Sequence, residues 1–193
     1  MTICYSTFII STSITLSAAA EEHISSTSKV RAISKGELLI RHGQVVKNKY
    51  FVTDGCLRSY RVDKNDKEHT LQFAIKGWWI TDFIAVNTNE PATLYVEAIK
   101  DSYVIAFNTK DLDEIHTLFP EFEAFQRKNL ERHVVSLHKR ILNQLQLTAH
   151  ERYNVFLKQY PDIEQFTPNY HIASYLGITQ ESLSRIRVEQ SNK

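Results

Sequence analysis

The chain has 193 residues, enough for one substantial domain or for a domain with a smaller companion. Its 23 basic and 22 acidic side chains leave a net charge of +1, so bulk charge neither calls for nor excludes a polyanionic partner. A hydrophobic content of 42% and a charged content of 23% are those of a soluble globular protein and exclude a disordered or fibrous chain.

Cysteine use narrows the chemistry. Cys4 and Cys56 cannot build a disulfide framework, and neither stands in a CxxC pair, so no structural zinc or iron–sulfur cluster is expected. The pattern fits a reducing cytoplasm. The opening segment MTICYSTFIISTSITLSAAAEEH ends in small residues that mimic a cleavage site. It lacks a basic leading region, and serine and threonine dilute its apolar residues, so neither a signal peptide nor a membrane contact is expected.

LSAAAEEHISST predicts a helix opened by a serine cap and early glutamates. From residue 36 the character changes. ELLIR, YFVTDG, CLRSYRV, HTLQFAI, TLYVEAI and YVIAF are short and β-branched or aromatic, and turn formers such as RHGQ, DKNDKE and NTNEP separate them. Such spacing predicts a small antiparallel barrel or jelly roll. From Asp111 the period becomes helical. NTKDLDEIHTLF is a capped helix that ends at Pro120, and residues 120–147 then run without an internal proline or glycine, ~40 Å if fully helical. Leu130, Val134, Leu137, Ile141 and Leu145 recur every three or four residues, a narrow seam suited to a partner helix or to the chain's own barrel. ERYNVFLKQYP is a further helix, with Tyr153, Phe156, Leu157 and Tyr160 on one side and Pro161 as its stop.

The stretch YHIASYLGITQESLSRIR places Gly177 between two short amphipathic runs. Ile172, Ala173 and Leu176 share a face before it; after it Ile178 follows at once, and Leu183 and Ile186 are spaced for one face of the next helix. Thr179 is positioned to cap the second run, with Ser182 at N3. This is the logic of a helix-turn-helix, whose second helix lies in the DNA major groove; an ordinary helical hairpin shares part of it. The outward residues Thr179, Gln180, Glu181, Ser184 and Arg185 match base chemistry: glutamine pairs with adenine, glutamate accepts from cytosine and arginine grips guanine. Val188 lies on the same face, and Arg187 is better placed for phosphate, joined by Lys193 where the tail is ordered. Lys139, Arg140, Arg152 and Lys158 are further candidates for backbone contacts, or simply solvated helix surface.

A β-rich first half, a long helix and a terminal helix-turn-helix resemble, in that order, the cyclic-AMP receptor protein and FNR family of bacterial transcription regulators. KGELLIRHGQ, YFVTDGCLRSYRV and the ERY…IASYLGITQESLSRIR region look like the branch common in Bacteroidetes. The resemblance implies an α+β chain divided into three parts. Residues 1–119 form a cyclic-nucleotide-binding-like β-roll (jelly roll), 120–147 a dimerisation helix, and 148–193 a winged-helix-type helix-turn-helix. It also implies a cytoplasmic homodimer bound to a near-palindromic duplex site, with RNA polymerase and a small-molecule effector as further partners. Gln180, Glu181 and Arg185 fall at the family's base-reading positions.

The ligand cassette departs from the family pattern. Thr81-Asp82 stands where the family carries Gly-Glu, and Ala92-Thr93 where it carries the Arg-Ser pair that clamps the cyclic phosphate. Asp82 keeps the means to touch a ribose hydroxyl, but no arginine or lysine lies between Trp78 and Ile99, so cyclic AMP is not expected and the effector is unknown. Trp78, Asp82, Phe83, Thr93 and Tyr95, with Trp79, line the equivalent pocket or pack as core. Iron–sulfur sensing would need an amino-terminal cysteine cluster that is missing. Two other function classes stand beside this one. A cupin-like metal enzyme needs an HxH pair, and His23, His42, His69, His116, His133, His138, His150 and His171 supply none; no GxSxG elbow or phosphate loop is present either, so neither catalytic residues nor a metal are expected. A ligand-sensing dimer without DNA binding fits the modest basic charge.

Overall fold

The computed structural model describes residues 15–191; Cys4, the rest of the opening segment and Lys193 lie outside them. Ser17 Oγ accepts from the Ala20 amide at 3.3 Å and opens α1 (Ala18–Thr27), the serine-capped helix read from the sequence. Two compact units are present. One joins the described residues up to Ser59 with Phe73–Arg132, and the other joins Tyr60–Gln72 with the described residues from His133.

Eight strands arise where β-branched and aromatic residues cluster: β1 (Lys29–Ile33), β2 (Leu38–Ile40), β3 (Asn48–Asp54), β4 (Cys56–Val62), β5 (Glu68–Ile75), β6 (Trp79–Ile80), β7 (Tyr95–Ala98) and β8 (Ser102–Asn108). They form two four-stranded sheets, in the orders β1-β8-β3-β6 and β2-β7-β4-β5. This is the expected β-roll. Alternation decides which side chain goes where. In β3, Val52 joins Leu57, Ala74, Ile80, Val96 and Val104 in one buried cluster. Its neighbour Phe51 joins a second cluster with Trp79, Ile105 and Phe107. That second cluster also takes Ala20 and Ile24 from α1, Leu112 and Ile115 from α3 (Thr109–Leu118), and Phe122 and Phe125 from α4 (Pro120–Gln146). Each buried phenylalanine contributes about 1.5–3 kcal/mol.

Three elements were not evident in the sequence. The edge strand β1 buries only Ile33 of its five residues, so its short Lys-Val-Arg-Ala alternation marks no packed face. The strand β6 has only two residues. A short helix, α2 (Phe83–Thr88), replaces part of the expected loop because the Asp82 side chain accepts from the Ile84 and Ala85 amides and caps it.

In the second unit α4 continues to Gln146, and Thr148 starts α5 (Ala149–Gln159) through a capping box with Glu151. A 3-10 turn at Ile163–Gln165 leads to α6 (Asn169–Leu176) and α7 (Gln180–Ser191). The expected wing has no counterpart among the described residues beyond Leu147, which form helices and turns only. Pro161 and Pro168 bracket the segment before α6, and proline has no N–H to donate to a strand ladder. Residues 60–72, the β4–β5 hairpin tip, belong to the same unit. Ser174 Oγ ties them to α6: it accepts from the Thr70 amide at 2.8 Å and donates to the Glu68 carbonyl at 2.7 Å.

The turn between β3 and β4 is closely packed against β8. Gly55 has φ of +95°, and a Cβ there would lie 2.1 Å from Ser102 Oγ and 2.6 Å from Ser102 Cα. Ser102 Oγ accepts from the Cys56 amide at 3.0 Å and donates to the Lys100 carbonyl at 2.8 Å, so it cannot swing aside without loss. The adjoining Cys56 thiol is fully buried, and burial pushes its pKa up to about 12. Gly55→Ala should therefore cost at least about 3 kcal/mol in urea unfolding. A loss below about 1 kcal/mol would show that strand β8 yields there.

Candidate functional site

Gly177 joins α6 to α7 in the left-handed region, with φ 67° and ψ 37°. The Ile178 amide reaches back to the Ala173 carbonyl at 3.0 Å and the Gly177 amide to the Ser174 carbonyl at 3.2 Å. These two bonds form a Schellman motif, which a residue with a Cβ tolerates poorly. A Cβ at position 177 would also lie 3.3 Å from the Gln144 amide group. Ile172, Ala173, Leu176, Leu183 and Ile186 are all buried, so the apolar register read from the sequence is the packed one. Phe156, Tyr160 and Tyr175 complete this core, with ring centroids 5.3–5.9 Å apart.

Helix ends leave carbonyls without intrahelical donors. Side chains fill that need here. Arg140 donates to the Thr70 carbonyl at 2.9 Å, to the Tyr175 carbonyl at 2.8 Å and to the Leu71 carbonyl, and its guanidinium lies 4.0 Å from the Tyr175 ring centroid. Burial lowers its pKa. Gln144 and Arg152 both donate to the Leu176 carbonyl, at 2.9 and 3.2 Å, and Arg152 also reaches the Leu147 carbonyl at 2.8 Å. The sequence offered Arg140 and Arg152 as backbone contacts for a nucleic acid. Within this unit both are engaged with the protein's own main chain.

On α7 the structure separates the candidate residues into two sets. Thr179 Oγ1 accepts from the Ser182 amide at 3.2 Å, which starts the helix. Gln180, Glu181, Ser184 and Arg185 are exposed with Thr179, and Val188 stands beside them at 61% exposure. Bonds from its own amide and from Thr179 hold the Glu181 carboxyl below the usual carboxylate range, so it presents acceptors only at neutral pH. Arg187 turns the other way. It donates to Tyr153 Oη at 3.1 Å and to Asn169 Oδ1 at 2.5 Å and pairs with Glu164. Those partners lie 18 to 34 residues away in the chain, which is why spacing alone placed Arg187 on the surface.

Along α4, Leu130, Val134, Leu137, Ile141 and Leu145 are 40–77% exposed, and Val135 and Leu142 beside them are about half exposed. A stripe of apolar side chains on a helix of 27 residues exceeds the scattered exposure that needs no explanation.

In the first unit the cassette residues divide as well. Asp82 is fully buried, and its carboxylate accepts five hydrogen bonds. Oδ1 takes the Ile84 and Ala85 amides at 3.1 Å; Oδ2 takes the Thr93 amide at 2.7 Å, Thr93 Oγ1 at 3.2 Å and the Leu94 amide at 3.0 Å. Asp82 and Thr93 are thus brought together. Trp78 is partly buried under the Arg132 guanidinium, 5.0 Å from its ring centroid, and Tyr95 stacks on His42 with centroids 6.2 Å apart. Phe83 is half-buried, and Trp79 lies in the aromatic core against Phe51 and Phe107. Arg58 on β4 was missed by sequence reasoning. It is the one arginine or lysine buried among the described residues, and Glu97 on β7 holds it through Nε at 3.0 Å and Nη2 at 2.6 Å. A charged residue in a strand reads as solvent-facing, and nothing local marks a partner 39 positions on.

Residues 30–117 match the family described as "Cyclic nucleotide-binding domain". The structure is similar to CLP of Xanthomonas campestris, described as a c-di-GMP responsive global regulator (12% identity, TM-score 0.72, covering 91% of this chain and 92% of that one). It is similar to FixK2 of Bradyrhizobium japonicum (18% identity, TM-score 0.72, 86% and 85% covered) and to a CooA mutant of Carboxydothermus hydrogenoformans (21%, TM-score 0.69, 95% and 83%). At these identities the likeness shows the fold. No curated protein sequence matches the chain. Among the described residues no group of three or more His, Cys, Asp or Glu is placed to hold a metal ion, and no helix is long and apolar enough to cross a membrane.

The cluster around Arg187 makes a clear prediction. Arg187→Ala should lower stability by about 2 kcal/mol in urea unfolding, because Glu164 and Tyr153 lose a charged donor. Its effect on the salt dependence of binding to any duplex should be negligible; a shallower salt slope with unchanged stability would return Arg187 to the phosphate-contacting set.

Proposed function

We propose that this chain is a sequence-specific DNA-binding transcription regulator of the Crp/Fnr type, acting as a homodimer on a near-palindromic duplex site. The observation that carries the reading is the outward face of α7. Gln180, Glu181, Ser184 and Arg185 are exposed together on a helix whose inner face is locked by Leu183, Ile186 and Arg187. Gln180 would pair with adenine, Glu181 would accept from cytosine N4 and Arg185 would grip guanine O6 and N7. The exposed stripe on α4 supports self-association, with Leu130, Val134, Leu137, Ile141 and Leu145 as the contact. In that dimer the half-site centres lie about 34 Å apart, one DNA turn. The descriptions of similar structures support the same role: CLP is described as a global regulator that links cell-cell signaling to virulence gene expression, and another similar chain, from Eubacterium rectale, as a putative transcriptional regulator of the crp/fnr family.

In this reading residues 1–119 sense, 120–147 join the subunits and 148–193 read DNA in a cytoplasmic regulator of the Bacteroidetes-type branch that is not an enzyme. RNA polymerase and a small molecule are its further partners. The cassette residues do not suit cyclic AMP. Residues 78–99 contain no arginine or lysine, and the buried Arg58 is already paired with Glu97. A second reading, a ligand-sensing dimer without DNA binding, draws on the thin basic charge of α7, where Glu181 and Glu189 offset Arg185 and Arg187 in the count.

Selection of the purified protein against random-sequence duplexes at moderate salt, without added ligand, tests the proposal. A recovered palindrome with half-sites one turn apart is expected, and salt-independent or absent binding would favour the second reading. Arg185→Ala should then weaken binding to the selected site by about 1–3 kcal/mol and relax one base position. An equal loss on every sequence would make Arg185 a phosphate contact. Leu137→Glu should give monomers in sedimentation and weak half-site binding, and an unchanged dimer would remove α4 from the interface.

A further inference from the structure

A buried carboxylate held by five neutral donors is an unusual use of an anion. Asp82 is 0% exposed. Its two oxygens draw amides from two separate segments, Ile84–Ala85 at the start of α2 and Thr93–Leu94 just before β7, with the Thr93 hydroxyl as the fifth donor. Three of the five therefore come from outside the helix end. The second segment is itself fixed: the Ala92 amide donates to the Gln44 carbonyl and the Gly43 amide to the Ala92 carbonyl, both at 2.8 Å. Converging N–H groups of this kind are what a protein offers to a bound anion, and charge-assisted bonds to them are the strong ones. Here they are occupied from within the chain.

We propose that the Asp82 carboxylate is a built-in anion that takes the place of an anionic ligand in this cassette, so that the cassette is complete without an effector phosphate. The side chain bridges α2 to the strand that follows, the task an external anion would otherwise perform. The consequence is specific: removing the carboxylate exposes a vacant site for a small monoanion, whereas the natural protein has none there. The inference stands whether or not α7 reads DNA.

Asp82→Ala deletes a group the size of formate and leaves five donors without an acceptor. Its melting temperature should fall by about 10 °C. Sodium formate or acetate should restore part of that loss, relative to chloride at equal ionic strength; at ten times its dissociation constant the anion shifts the folding equilibrium about elevenfold. The unsubstituted protein should show no such response, and millimolar cyclic AMP or cyclic GMP should leave its melting temperature unchanged. Asp82→Asn keeps the shape and turns an acceptor into a donor, so it serves if the alanine variant does not fold. Its Thr93 and Leu94 amides should exchange with solvent at least tenfold faster than in the unsubstituted protein. Equal responses of variant and unsubstituted protein to formate, unchanged exchange in Asp82→Asn, or a melting shift of the unsubstituted protein with cyclic nucleotide would each overturn the proposal.

Discussion

The left-handed backbone at Gly177 decides which side of α7 is presented and which is packed. With φ at 67° the chain reverses within two residues, and the returning amides of Gly177 and Ile178 close on the carbonyls of Ser174 and Ala173. Once that turn is set, the helical period carries Leu183 and Ile186 inward, and the residues between them have one way left to point. The aromatic core of Phe156, Tyr160 and Tyr175 then fills the space the two helices enclose. Thr179 is left with the cap of α7, and Gln144 is brought against the outer surface of the turn.

Arginine is used in this unit as a main-chain ligand more than as a surface charge. Arg140 and Arg152 end on carbonyls, and Arg187 ends on Glu164, Tyr153 and Asn169. A guanidinium has five donors in a fixed fork, which suits it to gathering several carbonyls at once where helices terminate. The corresponding loss is electrostatic reach. Little positive charge remains on the α7 face, so any preference among duplexes would rest on base-edge chemistry more than on attraction to phosphate.

Much of this organisation is legible in the chain. The long helix shows itself by the lack of proline and glycine between 121 and 146, its stripe by the recurrence of Leu, Val and Ile, and the α6–α7 pair by one glycine between two apolar registers. Short-range signals of that kind survive because they depend on neighbours within two turns. What failed to show depends on distance. Glu97 is remote from Arg58, and Tyr153 and Glu164 are remote from Arg187. Asp82 could be recognised as an unusual residue in its cassette, but its real partners are backbone amides at Thr93 and Leu94, and backbone groups leave no mark in a sequence. The edge strand β1 escaped notice for the opposite reason, since almost nothing covers it and its five residues bury only Ile33.

The buried thiol of Cys56 has a practical consequence for spectroscopy. With its pKa pushed up to about 12 by burial, the thiol stays protonated at pH 8, and the side chain is fully buried. Maleimide and iodoacetamide reagents would pass it by in the native fold. With Cys4 replaced, the chain becomes a silent background on which a cysteine introduced at Ser184 or Gln180 takes a single fluorophore. The environment of the α7 face could then be followed directly, residue by residue, without disturbing the β-roll.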